Sequence, residues 1–398
     1  MHHGVFIICF SWWLFWYLVS AIGISGMPSL SLNAHLIYII FFLSLIVGYL
    51  SALVCRKPHT RVDISNHSVD YHVPVLYRVL ILLCFLFLSF AAYSAGALTT
   101  GFAEYFLLRR GEFSEEIVTG SGLIDAIIKV FTLPILFAIF VNFLSLKLVG
   151  VKVSKINWFM LLSCIFIFSY TFQVNYPIIF CFILYFVSIF VSKDLSLKSF
   201  IYLFILCFII MAAAVNRYGS FDFISIIMHY PVTYFSLSFP FFDYHLSQSD
   251  GLLFDHTYGE SFLGYLTIYP VLLFKITGFP SDYYIPASFE NISYNSQCVY
   301  LGHKCYNAFG SIIFSFFRDF GYVGVMMGAA FIGFLISYLN IKKRTSLFMK
   351  GIFLYVSSSF VNGIMVSPFD LPYFWNVMVL LFLFNVRLFP VKRSFDEA

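Results

Sequence analysis

Long apolar runs separated by short polar segments dominate the chain. Each run is long enough to cross a hydrocarbon core of about 30 Å as a helix, which requires roughly 17–25 residues. An outer-membrane β-barrel would instead show short segments of alternating apolar and polar residues. The pattern therefore predicts an all-α polytopic membrane protein with about ten transmembrane helices, at residues 4–25, 34–54, 74–98, 122–146, 156–174, 176–192, 199–215, 311–340, 346–367 and 373–391.

The composition excludes several classes of protein. Of the 398 residues, 61% are hydrophobic and only 11% are charged. A soluble domain carries about 25% charged residues, because its surface must be wetted. This chain cannot cover itself with polar groups, so a water-soluble enzyme, a disordered protein and a nucleic-acid-binding protein are all excluded.

The distribution of positive charge orients the predicted helices. One side of the bundle collects 16 of the 23 Lys and Arg residues but only 5 of the 19 acidic residues. Each cluster of basic residues follows an even-numbered span, so this side also holds both chain termini. By the positive-inside rule it is the cytoplasmic side, which makes the protein a multi-pass protein with cytoplasmic N and C termini.

Two segments on the exterior side are long. The smaller segment covers residues 99–121, and the larger one covers residues 216–310 between spans seven and eight. Long ordered loops are commonly functional, and the aromatic stretch 230–244 predicts short helices at the membrane interface. The chain thus divides into spans one to seven (1–215), a large exterior loop (216–310) and spans eight to ten (311–398).

Two arginines bracket the large exterior loop. Arg217 directly follows span seven, and Arg318 lies at the exterior mouth of span eight. A guanidinium stays charged at physiological pH and binds phosphate or carboxylate through two parallel hydrogen bonds. The alternative is that each arginine anchors its helix at the interface or pairs with a nearby acid, Asp222 or Asp319. Their shared position at one large loop favours a function.

The exterior loop also supplies carboxylates, histidines and two cysteines. A carboxylate such as Glu260 or Glu290 is a candidate general base, although most loop carboxylates are expected only to be solvated. The histidines lack the HxxxH and HExxH spacings, so neither a metal nor a cofactor is predicted. Cys298 and Cys305 lie on the side where disulfides persist, and they are candidates for a disulfide; the alternative is two free thiols.

Two motifs in the chain resemble a known family. The first enters span eight and consists of Asn307, Gly310, Arg318, Asp319, Phe320, Gly321 and Gly324. The second is Arg217-Tyr218-Gly219, followed by the aromatic stretch 230–244. Together, over about a quarter of the chain, they resemble the Wzy family of bacterial O-antigen and capsule repeat-unit polymerases. Some members have a glycine eleven residues after each arginine, where this chain has Met228 and Ala329, so the arginines are transferred only as anion binders.

The resemblance implies glycosyl transfer at the outer face of the bacterial cytoplasmic (inner) membrane. A growing glycan on undecaprenyl pyrophosphate would pass to the terminal sugar of one lipid-linked repeat unit, without a metal or cofactor. The implied partners are undecaprenyl-pyrophosphate-linked glycans, membrane lipid, a chain-length regulator and a flippase. No nucleic acid is implied.

The chemistry of this transfer suggests a role for each candidate residue. The acceptor hydroxyl needs a carboxylate base, for which Glu290, Glu260 and Asp319 are the candidates. The departing pyrophosphate needs positive charge, which we expect Arg217 and Arg318 to supply. Further residues expected to bind the substrate are Asp222, His229, Tyr230, Lys275, His303 and Asn307.

Two other functions are compatible with the topology. An O-antigen ligase would use the same donor but would transfer the glycan to the lipid A core. A flippase for lipid-linked oligosaccharides, or another transporter, would not be an enzyme and would show internal repeats and charges lining the bundle. In this chain only Asp125 and Lys129 lie clearly inside a span.

Overall fold

A computed structural model describes residues 3–23, 28–55, 74–100, 105, 119, 122–192, 196–199, 201, 203–204, 232–249, 251–267, 269–270, 286–296, 299–301, 304–306, 310–343 and 346–385. Within these ranges the secondary structure is helical apart from one short hairpin. The helices are α1 (Gly4–Ala21), α2 (Leu32–Val54), α3 (Val75–Ser94), α4 (Gly122–Ile127), α5 (Leu133–Leu148), α6 (Lys155–Thr171), α7 (Tyr176–Ser192), α8 (Thr233–Leu246), α9 (Glu260–Leu263), α10 (Ala287–Ser296), α11 (Ile312–Lys342), α12 (Leu347–Asn362) and α13 (Pro372–Asn385). The hairpin joins β1 (Val299–Leu301) and β2 (Lys304–Tyr306), with Tyr300 opposite Cys305.

Several of the described helices are suited to a membrane. Five stretches are long and apolar enough to cross one: α1, α2, α3, residues 128–148 and α11. The helices α6, α7, α12 and α13 are apolar but shorter. These nine helical stretches coincide with nine of the ten predicted runs. The tenth run, 199–215, lies largely outside the described residues. The prediction of a helical membrane protein is confirmed at this level, whereas the number of crossings and their orientation stay predictions.

The surface of α2 explains why this fold needs a hydrocarbon solvent. In a soluble protein, the face of a helix that points away from the core is polar. In α2 both faces are apolar, and a long exposed apolar stripe marks contact with lipid or another protein. The exposed stripe consists of Leu32, Leu36, Ile39, Leu43, Val47, Leu50 and Val54.

The chain forms two compact units. One contains residues 60–210, 342–355 and 376–398. In it a π-helical turn at Ile128–Thr132 interrupts the run from α4 to α5. Asp125 accepts hydrogen bonds from the backbone and hydroxyl of Thr119, and Lys129 lies over the ring of Phe172. Both charged groups inside this predicted span thus have local partners.

The other unit contains residues 1–59, 211–341 and 356–375, and part of it is packed with aromatic side chains. Trp13 of α1 donates a hydrogen bond to the carbonyl of Phe360 at 2.9 Å and packs on Phe41 of α2. Tyr38 of α2 donates to the carbonyl of Phe239 in α8. A helix predicted in the stretch 230–244 is thus present as α8, and its depth in the membrane stays a prediction.

Backbones approach closely where α2 meets α11. A Cβ atom on Gly48 would lie 1.9 Å from the carbonyl oxygen of Ala330, and one on Gly333 would lie 2.1 Å from that of Leu45. Small residues permit such contact between helices in membranes, where van der Waals packing drives association. Gly48 of α2 and Gly333 of α11 are therefore packing positions between these helices.

The helix α11 is broken near its start, in contrast to the single span predicted at 311–340. Phe320 and Gly321 have non-helical backbone angles, and Gly321 has φ +60°, which favours glycine. Residues 312–319 fold back on the rest, since a Cβ atom on Gly324 would lie 2.0 Å from the carbonyl oxygen of Phe316. The remaining residues 322–342 would extend about 31 Å, which matches the hydrocarbon thickness.

Candidate functional site

A polar cluster is built around the short segment 312–319 at the break in α11. Three other pieces of the same unit contribute side chains or amides: the turn 256–259 with α9, the helix α10, and the turn Pro368–Asp370 between α12 and α13. These pieces come from distant parts of the sequence. Hydrogen bonds between polar side chains hold them together.

Arg318 is the centre of this cluster. Its side chain has no exposed surface, although it is among the largest and most polar side chains of the chain. One terminal nitrogen donates to the carbonyl of Ala287 at 3.1 Å and to the side-chain oxygen of Asn291 at 2.6 Å. The other forms an ion pair with Glu290. A buried guanidinium must be paired in this way, because its desolvation alone costs several kcal/mol.

Glu290 carries the opposite charge at the edge of the cluster. About a third of its side chain is exposed (34%), whereas Arg318 is fully buried. The ion pair therefore joins an interior cation to a carboxylate that reaches the surface. Such charge-assisted bonds are shorter and stronger than neutral ones, so the orientation of Glu290 is tied to that of Arg318.

The carboxylate of Asp319 is used differently. One oxygen accepts hydrogen bonds from the hydroxyl of Thr257 (2.7 Å) and the amides of Gly259 (3.0 Å) and Ser261 (2.9 Å), and the other accepts from the amide of Phe262 (2.9 Å). These amides form the start of α9, where a negative charge is stabilising. Four donors on one buried carboxylate favour an anchoring role over that of a proton acceptor.

Backbone hydrogen bonds strengthen the same junction. The amides of Thr257 and Tyr258 donate to the carbonyls of Arg318 and Asp319, at 3.1 and 3.3 Å. The ring nitrogen Nδ1 of His256 also lies 3.1 Å from the carbonyl oxygen of Arg318. The carbonyls of Arg318 and Asp319, which lie at the break in α11, thus accept hydrogen bonds from the turn 256–259. The loop, in turn, fixes where the helical segment ends.

Glu260 supports the helix that carries Glu290. One of its carboxylate oxygens lies 3.1 Å from the amide of Ala287, the first residue of α10, and accepts a hydrogen bond from it. Amides at a helix start lack partners within the helix, and a carboxylate stabilises them. Of the three base candidates, Glu260 and Asp319 bind backbone amides, and Glu290 binds the arginine.

Asn291 and Asp370 complete the cluster, and sequence reasoning missed both. The amide nitrogen of Asn291 donates to one oxygen of Asp370 at 3.0 Å, and Ser315 donates to the other at 3.2 Å. Burial raises the pKa of Asp370 to about 7, although the bonds from Asn291 and Ser315 oppose that shift. The available signal was an aspartate in a short apolar turn between two predicted spans.

The structure covers only part of the predicted site. Among the sequence candidates it brings together Arg318, Asp319, Glu290 and Glu260. Within the described residues, no group of three or more His, Cys, Asp or Glu side chains is suited to hold a metal ion. Of the cysteine pair, Cys305 lies in β2. The candidates that lie outside the described residues are Arg217, Asp222, His229, Tyr230, Lys275, Cys298, His303 and Asn307.

The burial of Arg318 bears on its expected role. A side chain with no exposed surface does not meet a pyrophosphate in this arrangement. Its Nε atom has no hydrogen-bond partner among the described residues, but that atom is buried as well. Contact between Arg318 and an anion therefore stays a prediction, and it would require α10 to move aside. The arrangement itself is that of a cation that positions Glu290.

Comparison with known proteins adds no family. No family model, no curated protein and no solved structure matches the chain. The functional interpretation therefore depends on the sequence motifs and on the geometry around Arg318.

Proposed function

We propose that the chain is a polyprenyl-pyrophosphate-dependent glycosyltransferase of the bacterial inner membrane. It polymerises undecaprenyl-pyrophosphate-linked repeat units into O-antigen or capsular polysaccharide at the outer face of that membrane. The observation that carries the proposal is the Arg318–Glu290 pair, in which a buried cation of the motif holds a carboxylate at the surface. The motif resemblance supplies the reaction class.

Glu290 is the general base in this proposal. It accepts the proton of the acceptor hydroxyl while that oxygen bonds to the anomeric carbon of the donor glycan. The bond from that carbon to the pyrophosphate oxygen breaks, and the pyrophosphate leaves with the electron pair. Arg217 remains the candidate for the charge that stabilises the leaving group. Arg318 is a positioning residue that keeps the Glu290 carboxylate in place.

The polarity of α11 supports an exterior location for the pair. Residues 322–342 end at Lys342, and Lys343 and Arg344 follow. Positive charge marks the cytoplasmic end of a membrane helix. The segment 312–319 precedes the opposite end of this span, so Glu290 and Arg318 belong on the outer side. This is the side on which the proposed ten-span topology, with cytoplasmic termini, puts the large loop.

The glycan pattern of a strain that lacks this gene tests the proposal. On a denaturing gel, we expect the surface glycan ladder to collapse to core plus one repeat unit, because repeat units still cross the membrane and are still ligated. The capsule is measured in parallel, since the product is O-antigen or capsule. Loss of every repeat from the core would favour a ligase or a flippase instead. An unchanged ladder together with unchanged capsule would overturn the proposal.

A further inference from the structure

Asp370 is a buried acid that has no role in the reaction proposed above. It lies in the turn between α12 and α13 and is only 2% exposed. Both of its oxygens accept hydrogen bonds, one from Asn291 and one from Ser315. A carboxyl group in the interior destabilises a fold unless its neighbours compensate for the lost hydration. Its retention at the site therefore calls for a role.

A continuous series of contacts connects Asp370 to the surface carboxylate. Asp370 accepts from the nitrogen of Asn291 at 3.0 Å, and the oxygen of Asn291 accepts from Arg318 at 2.6 Å. Arg318 then forms the ion pair with Glu290. Asn291 is fully buried, so no solvent competes for its two ends. Each group in the series has its orientation set by the previous one.

Within this series, Asp370 acts on the side-chain amide of Asn291. An Asn side chain has a donor end and an acceptor end, and only its oxygen can face a guanidinium. An acceptor on the opposite side selects that orientation by binding the nitrogen. Asp370 is this acceptor, together with a longer contact to the hydroxyl of Ser261 at 3.4 Å. Without it, the amide loses the bond that keeps its oxygen toward Arg318.

We propose that Asp370 is a positioning residue for glycosyl transfer: its hydrogen bond to Asn291 orients Arg318 and thereby the Glu290 carboxylate. The inference depends on the proposed function, because it assumes that Glu290 is the base. It adds a residue from a turn beyond the large exterior loop. It also explains why this turn, otherwise apolar, holds an acid.

Two substitutions at position 370 separate hydrogen bonding from bulk. In Asp370→Asn, the side-chain oxygen still accepts from Asn291, and the new amide can donate to the hydroxyl of Ser315. In Asp370→Leu, a side chain of similar size has no acceptor. We expect Asp370→Asn to keep polymerisation within about twofold of the original chain. Asp370→Leu should reduce it at least tenfold at equal abundance in the membrane.

The kinetic readout distinguishes positioning from a loss of fold. Measured on the full chain in nanodiscs with lipid-linked repeat units, Asp370→Leu should lower kcat while KM stays within about twofold. Asp243→Leu is the matched control, because Asp243 also accepts two hydrogen bonds, both from Ser31, but lies outside the cluster; it should behave like the original chain. Wild-type kcat in Asp370→Leu would overturn the proposal, and so would an Asp370→Asn variant as inactive as the Leu variant.

Hydrogen exchange supplies a second readout that needs no enzymatic assay. The backbone amides of α10 should exchange faster in Asp370→Leu than in Asp370→Asn, because the helix that carries Asn291 and Glu290 loses a tether. Equal exchange in the two variants would overturn the positioning role. If instead the original chain polymerises nothing while the exchange difference is present, the proposed function fails and the positioning network remains.

Discussion

Two buried regions of the same unit are held together by different forces. The region where α1, α2 and α8 meet is packed with aromatic rings, including Trp13, Phe41 and Phe239. The region around Arg318 is held by charges and hydrogen bonds between side chains far apart in sequence. Dispersion contacts are individually small and numerous, whereas a buried charge that loses its partner is costly. The first region should tolerate change, and the second should not.

The polar region, unlike the aromatic one, can hold a reacting group in a fixed orientation. Ring packing fills space but fixes no proton acceptor or donor at a chosen point. In the polar region Asn291, Arg318 and Glu290 have their orientations set by one another, as a reacting group requires. The proposed reaction gives this costly polar cluster a chemical role, because it holds the Glu290 carboxylate in a defined orientation.

The largest effect is expected for Arg318→Met, which keeps the length of the side chain but removes its charge. The oxygen of Asn291 and the carbonyl of Ala287 lose their donor, and the partly exposed Glu290 loses its counter-charge. Because an unsatisfied buried acceptor costs about 1–3 kcal/mol, we expect a loss of about 2–5 kcal/mol in the free energy of unfolding. Polymerisation should be lost as well. Thermal unfolding in detergent measures the effect on stability. Arg78→Met, at an exposed position of α3, is the matched control and should change stability by less than about 0.5 kcal/mol. A near-neutral Arg318→Met would contradict the contrast between the regions.

The pH dependence of stability should also originate in the polar region. Because burial raises the pKa of Asp370 from 3.8 to about 7, its proton is held more tightly in the folded than in the unfolded chain. Stability from this group is therefore greatest at low pH and falls as pH rises from about 4 through 7. Relative to Asp370→Asn, the original chain should lose a few kcal/mol between pH 4 and 8. Melting temperatures of both proteins across this range measure the difference, and a constant difference would contradict it.

A smaller effect is expected where backbones touch in the apolar part. In Gly48→Ala the new methyl group would overlap the carbonyl of Ala330 on α11, so the helices must separate. We expect a loss of about 1–3 kcal/mol, as for other overpacked sites. Gly4→Ala is the control, because a Cβ atom there meets nothing within 4 Å. If both variants unfold at the same temperature, α2 and α11 do not pack as described.

The smallest effect is expected for Trp13→Phe in the aromatic region. The ring packing is largely kept, but the hydrogen bond from the indole nitrogen to the carbonyl of Phe360 is lost. A loss of about 1 kcal/mol in the free energy of unfolding is expected, with polymerisation unchanged. Phe15→Leu, at an exposed position of the same helix, serves as the control. An effect of Trp13→Phe as large as that of Arg318→Met would remove the distinction between the regions.

The sequence predicts the helical segments well, because each apolar run in lipid must satisfy its backbone internally as a helix. It does not predict the break in α11, since apolar residues flank Arg318 and Asp319 on both sides and continue the run through Phe320 and Gly321. The partner of Arg318 was also missed: the neighbouring Asp319 is a candidate by sequence, but the ion pair goes to Glu290, 28 residues earlier. Asp370 is farther away still. Such long-range contacts depend on tertiary structure, which no local pattern encodes.

The most direct test of the account is the glycan ladder of a strain that carries Glu290→Gln. The substitution keeps the shape of the side chain and its capacity to bind Arg318, but it removes the proton acceptor. Asp255→Asn, at an exposed position of the same segment 216–310, is the control, and membrane abundance is measured for both. The capsule is measured in parallel. We predict that the Glu290→Gln strain loses the polymer, seen as a ladder that ends at core plus one repeat unit or as loss of capsule, while the Asp255→Asn strain keeps it. A full ladder together with normal capsule in the Glu290→Gln strain, at normal abundance of the protein, would contradict the central claim.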